Sequence, residues 1–187
     1  EFVYPVRIIK ADGIISGGEN FLINRDEIAS FGNDNLIRMK NESGIKSYVI
    51  LDFGKEICGG VRIVTAIVKG LTTKIRLVFG ESVSEAMSSV GKNGATNHHS
   101  PRDFNAMISN LSTLEFGRTG FRFVKIELEE ENAEVAFKSV IGLCSLPEEK
   151  IIGKIETDDE TINKILETAV YTCTLNMQDG YFLDGIK

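Results

Sequence analysis

The chain has 187 residues, 42% of them hydrophobic and 26% charged, with mean hydropathy near zero at −0.02, which describes an ordinary globular protein and excludes a disordered one. Its longest uncharged apolar stretches, such as residues 63–68, have the length of a strand and fall far short of the roughly 20 residues a membrane-spanning helix needs. A net charge of −6 works against nucleic-acid partners, because a phosphate backbone rewards clustered Lys and Arg.

The first forty residues hold short apolar pieces at 6–9, 21–23 and 36–39. They are separated by turn pairs at Asp12-Gly13, Gly17-Gly18 and Gly32-Asn33, a pattern that predicts edge strands. From Ser47 the signal sharpens. Residues 48–53, 61–68, 74–79, 121–128 and 135–143 are rich in β-branched and aromatic side chains and bounded by turn residues. The 74–79 run alternates, which places Ile75, Leu77 and Phe79 on one face and Lys74, Arg76 and Val78 on the other. Many short strands without an intervening helical period predict a mainly β protein, an antiparallel β-sandwich or jelly roll.

Residues 81–101 are rich in Ser, Gly, Asn and His and show no periodicity, so they predict a long loop, the part of the β domain best suited to touch a ligand or a neighbouring domain. Glu127, Glu129, Glu130 and Glu131 form one acidic run, expected as a solvated turn at a strand end. From Thr157 the period changes to that of a helix: Ile162, Ile165, Leu166, Ala169, Val170 and Cys173 recur on one face. Thr157 and Glu160 have capping-box spacing, with Asp158 and Asp159 where the helix dipole favours negative charge. The helix carries an apolar stripe, and only residues 178–187 follow it. The expected organisation is therefore a β domain over residues 1–155 joined to a linker and the opening helix of a second domain over 156–187. The stripe is expected to bury itself, either back on the sandwich or against another copy of the chain.

Several residues invite a chemical reading. His98 and His99 are the two histidines, but adjacent side chains diverge and no Cys or third His lies near, so no metal site or other cofactor is expected. Glu81 and Asp103 flank the long loop and are weighed as a carboxylate pair, against the simpler role of strand-end turn residues. Ser82 and Ser84 lack a nucleophile elbow. Gly54, Gly59, Gly60, Gly117 and Gly120 suit turns and bulges rather than a phosphate loop. Phe116, Phe121 and Phe123 are weighed as a sugar-stacking platform, but the spacing of Phe121 and Phe123 puts both on one strand face and favours the core, and the chain has no Trp. Cys58, Cys144 and Cys173 are odd in number and widely spaced, which fits neither a disulfide framework nor a Cys-x-x-Cys site and points to a reducing, cytoplasmic setting.

Taken in order, several segments resemble a known arrangement. Leu51-Asp52-Phe53-Gly54-Lys55-Glu56, Gly59-Gly60-Val61-Arg62-Ile63 and Ile75-Arg76-Leu77-Val78-Phe79-Gly80-Glu81 come first. Asp103-Phe104 and Phe116-Gly117-Arg118-Thr119-Gly120-Phe121-Arg122-Phe123 continue the pattern. These resemble the jelly-roll domain ahead of the catalytic barrel in bacterial α-L-rhamnosidases, glycoside hydrolase family 78. Thr157-Asp158-Asp159-Glu160-Thr161-Ile162-Asn163-Lys164-Ile165 resembles the helix that leads into that family's (α/α)6 barrel. The resemblance covers most of the chain from Tyr48 onward and implies an inverting glycosidase as the parent protein. That chemistry uses two carboxyl groups about 6.5–9.5 Å apart, one protonating the glycosidic oxygen and one activating water on the opposite sugar face. The resemblance places both in the barrel, beyond Lys187, so this chain alone is expected to be inactive. It also implies that Asp184 contacts the sugar, although Gly185-Ile186 follow it where many relatives carry Cys-Pro. The expected partners are a glycan in the intact protein, the missing barrel, and a second copy through the exposed helix, with no nucleic acid and no membrane. Two other readings stand beside this one: a stand-alone carbohydrate-binding module and a structural sandwich.

Overall fold

The two apolar runs at 48–53 and 61–68 form one strand. The computed structural model describes residues 1–23, 35–98, 100–148, 152–178 and 181–183, and in it β5 runs unbroken over Tyr48–Val68. Before it come β1 (Phe2–Val3), β2 (Arg7–Asp12), β3 (Ile14–Ser16), a 3-10 turn (Gly18–Leu22) and β4 (Ile37–Lys40). After it come β6 (Thr72–Gly80), α1 (Val83–Met87), β7 (Asp103–Ser109), β8 (Thr113–Leu128), β9 (Glu134–Cys144), α2 (Glu160–Asn176), β10 (Met177–Gln178) and β11 (Tyr181–Phe182).

The main sheet is antiparallel in the order β3-β4-β9-β5-β8-β6-β7, with β1 on β9 and β2 on β5. Two long strands curl it into a sandwich. The first part of β5 lies between β2 and the end of β8, with Asp52 opposite Phe123. Its second part lies between β9 and the start of β8, with Ile63 opposite both Val140 and Leu114. Both β5 and β8 thus pass from one layer to the other, turning the corner where their ladder is interrupted.

On β5 the corner is residues 53–56, where the ladder to β8 breaks between Asp52 and Ile57. Gly54 sits there at φ +79°, a conformation a side chain resists, and donates its N–H to Asp52 Oδ1 at 2.8 Å. On β8, Gly117 lets the backbone come close to Phe79: a Cβ there would stand 2.6 Å from the ring, at φ +85°. Phe121 fills the space inside the corner, edge-on to Phe53 (5.7 Å, 89°) and to Phe79 (5.0 Å, 78°). These rings lie in one continuous core with Val49, Leu51, Ile57, Ile63, Leu77, Ile126 and Phe137. Core packing, not a sugar platform, is the role of Phe121 and Phe123, which are both buried.

Several local expectations change. Residues 21–23 do not form a strand: Phe21 and Leu22 end the 3-10 turn, which drops the Phe21 ring into the core 6.3 Å from Phe137. Strand β4 is not an edge, since it pairs with β3 and β9. Gly32-Asn33 lies outside the described residues. The β6 face of Lys74, Arg76 and Val78 is half covered, with Val78 buried, because α1 packs against β6 and β8. That helix lies inside the expected loop 81–101, capped by Ser82, whose hydroxyl accepts the Glu85 N–H. The acidic run is the expected solvated turn only in part: Glu130 and Glu131 are exposed just past the end of β8, whereas its first member lies inside the strand. Glu127 is buried in β8 against Lys125, Glu129 pairs with Lys46, Glu130 accepts the Thr73 hydroxyl and Glu131 accepts the Gly44 N–H.

Candidate functional site

Helix α2 begins later than the capping-box spacing suggests. Asp159 is the cap, accepting N–H groups from Thr161 (2.7 Å) and Ile162 (3.3 Å). Thr157 is tied instead to Asn163, which accepts the Thr157 N–H at 2.9 Å and donates to its carbonyl at 2.9 Å. An aspartate at the cap satisfies two amides with one charged oxygen, which a threonine hydroxyl two residues earlier cannot do.

The helix has two apolar faces with different fates. Its C-terminal end docks on the sandwich through Leu175, which is buried in the main core, and Tyr171, which packs beside it. The Tyr171 hydroxyl donates to the Glu56 carbonyl at 2.5 Å, and the Lys55 ammonium lies over its ring at 5.5 Å. The stripe read from the sequence does not fold back on the sandwich: Ile162, Ile165 (62% exposed) and Val170 remain open to solvent. One side of it is a shallow groove lined by Ile155, Asn163, Leu166 and Val170, and the other a flat face of Ile165, Thr168, Ala169 and Cys173. Tyr171 and Leu175, at i and i+4, are the docking pair that the stripe at 162–173 overshadowed in the sequence.

Where Tyr171 docks, the corner of β5 gathers Asp52 and Arg102, two of the three buried charged residues among the described ones. The Asp52 side chain, 1% exposed, accepts from Arg7 at 2.7 Å and from Arg122 Nε and Nη2 at 2.8 and 3.1 Å. Burial pushes this carboxyl up, but Arg122, the Gly54 amide and Arg7 together hold it down to about 2. Beside it Arg102 is buried, donating to Glu85, to Glu81 at 2.9 Å and to the Gly120 carbonyl at 3.0 Å. Glu56 lies next to this group, with Oε1 shut off from water and without a hydrogen-bond partner. Burial, reinforced by the Glu81 carboxylate, raises its acid to about 7, while Arg102 pulls the other way.

Glu81 and Asp103 do not form a pair. Glu81 belongs to Arg102, and Asp103 is gripped by Arg76 through two bonds of 2.7 and 2.6 Å, which lowers its pKa. His98 is exposed, and His99 lies outside the described residues. Among the described residues no three His, Cys, Asp or Glu side chains are grouped as a metal ion would require, and no helix is long and apolar enough to cross a membrane. Cys58 and Cys144 are buried and in no disulfide, and Cys173 is exposed on α2. Asp184, the residue expected to touch sugar, lies outside the described residues, which end at Leu183 beside the short β10–β11 hairpin.

No family model matches the chain, and no curated protein matches it. Among solved structures it is similar to a rhamnosidase from Klebsiella oxytoca with rhamnose bound, with a TM-score of 0.67 and 18% identity, over 95% of this chain and 35% of that one. It is also similar to a GH78 family rhamnosidase of Bacillus sp. GL1, with a TM-score of 0.57 and 18% identity, over 76% of this chain and 14% of that one. The CBM32 module of AlyQ, in complex with 4,5-unsaturated mannuronic acid, is more distant, with a TM-score of 0.43 and 12% identity. The chain thus shares its fold with part of the rhamnosidases and spans 35% of the length of the Klebsiella enzyme.

Proposed function

We propose that the chain is the β-sandwich accessory region and leading helix of a glycoside hydrolase resembling the inverting α-L-rhamnosidases, with residues 156–187 forming the approach to an (α/α)6 catalytic barrel. One observation carries this reading: α2 is capped, regular and anchored at one end, yet presents Ile162, Ile165 and Val170 to solvent. A helix with such a stripe is stable when another element covers it, and further barrel helices are that cover. The fold shared with the Klebsiella rhamnosidase supports the same reading.

In this arrangement the sandwich holds α2 in place through Tyr171 and Leu175 and walls one side of the barrel. Asp184 hydrogen-bonds the sugar, while the general acid and base come from barrel helices. Asp52, Glu81, Glu85 and Asp103, each held by an arginine, suit structural work better than catalysis.

The test is an aryl-glycoside screen of the complete gene product, with product anomers followed by NMR. Hydrolysis of an aryl α-L-rhamnoside with inversion is expected, and none from residues 1–187 alone. Retention, or no turnover across the panel, would refute the reading. Heat from titrating the isolated chain with rhamnose-containing oligosaccharides would favour the stand-alone carbohydrate-binding module instead.

Without its cover, the α2 stripe pairs two copies of the isolated chain. Light scattering along a dilution series is expected to show a mass above the 20.6 kDa of one chain at the concentrated end, and Ile165→Lys is expected to return it to monomer. A wild-type mass that stays monomeric throughout would contradict this.

A further inference from the structure

We propose that Glu56 is a proton-operated catch that governs whether α2 is seated on the sandwich. The inference goes beyond the glycosidase reading and rests on the geometry of the β5 corner and the charges gathered there.

Three features meet at Glu56. Its Oε1 is buried without a donor, a position that suits a carboxylic acid and penalises a carboxylate. Its carbonyl accepts the Tyr171 hydroxyl, the contact that fixes the docked end of α2. It also belongs to residues 53–56, which have no ladder partner on β8 and include the positive-φ Gly54, so this stretch can shift without breaking sheet pairing.

The charged groups facing Glu56 come from every element around it: Glu81 after β6, Glu85 on α1, Arg102 ahead of β7 and Arg122 on β8. The Tyr171 phenol also interacts with Glu56, and around that phenol stand the Cys144 thiol, the Glu1 carboxylate and, over its ring, the Lys55 ammonium. Neither arginine is free to neutralise it, since Arg102 is engaged by Glu81, Glu85 and the Gly120 carbonyl, and Arg122 by Asp52. An ionised Glu56 would add a third carboxylate around Arg102. Its acid, raised to about 7, therefore loses its proton near neutrality, and the charged side chain moves toward water and takes its own carbonyl off Tyr171. Burial pushes the Tyr171 phenol upward, so it remains a donor throughout and the change originates at Glu56.

Amide hydrogen exchange, expressed as protection relative to intrinsic rates at each pH, tests the catch. Between pH 5.5 and 8 the amides of residues 171–176 are expected to lose about fivefold in protection, the factor of one hydrogen bond, while β5 and β9 keep theirs. Glu56→Gln, which keeps the shape without the charge, is expected to be flat across the same range. Tyr171→Phe is expected to be flat as well, with low protection at both pH values. The proposal is overturned if the wild type shows no drop, if the drop spreads equally over the strands, or if either variant keeps it. Should Glu56→Gln not fold, the 13C signal of the Glu56 carboxyl serves in its place. A midpoint coinciding with the loss of α2 protection supports the catch, and a midpoint below pH 5 overturns it.

Discussion

Phe121→Ala is expected to destabilise the chain by about 3–5 kcal/mol, the loss typical of a large aromatic removed from a closed core. Phe121 has no exposed surface and meets Phe53 and Phe79 edge-on at the place where β5 and β8 change layers. Removing the ring deletes both contacts and leaves a void that the backbone cannot close, because Ile57 opposite Phe121 is fixed by the ladder. Urea unfolding is the measurement, with the midpoint falling at an unchanged slope. Phe104, half-buried and stacked on the outer side of Phe79 at 6.0 Å, is expected to cost clearly less when truncated, since its site opens to solvent. A loss below about 1 kcal/mol for Phe121→Ala would contradict its place at the centre of the corner.

Asp52→Asn is expected to cost about 2 kcal/mol at pH 7 and less than half of that at pH 2.5. The folded protein holds this carboxyl down to about 2 against an ordinary value of 3.8, so the stability it contributes is fully present above pH 3.8. It is lost as the pH falls from that value through about 2, where the folded carboxyl is half protonated, and is gone only below it. The figure is set below the full value of the shift because Arg7 and Arg122 both reach water and screen the pair. Unfolding of wild type and variant in urea at the two pH values checks it. A gap that is equally wide at pH 2.5 would mean that the amide fails in this position for reasons of shape rather than charge.

The strand content was legible because its chemistry is local: β-branched runs between turn residues mark 74–79, 121–128 and 135–143 without help from the rest of the chain. What the sequence hid was continuity. Gly54, Gly59 and Gly60 look like a turn between two strands, and only the register with β8 and β9 shows that one strand bends through them. The same limit applies to the corner charges. Arg102 is separated by about twenty residues from the glutamates it holds, and Glu56 acquires its raised acid from burial and from Glu81, which no spacing announces. The stripe on α2 was legible as a stripe, whereas its exposure depends on which face Tyr171 and Leu175 commit to the sandwich. Phe21 misled for a simpler reason: a short apolar run has no period, and the 3-10 turn used it as a plug.

The passage of β5 and β8 through both layers has a consequence for how the molecule comes apart. Neither half of the sandwich owns its central strands, so peeling one sheet away strips the other of its middle, and the β portion should melt as a single cooperative block. Helix α2, fastened by one tyrosine and one leucine, stands outside that block and can detach while the block survives. The architecture therefore joins a stiff base to a hinged arm.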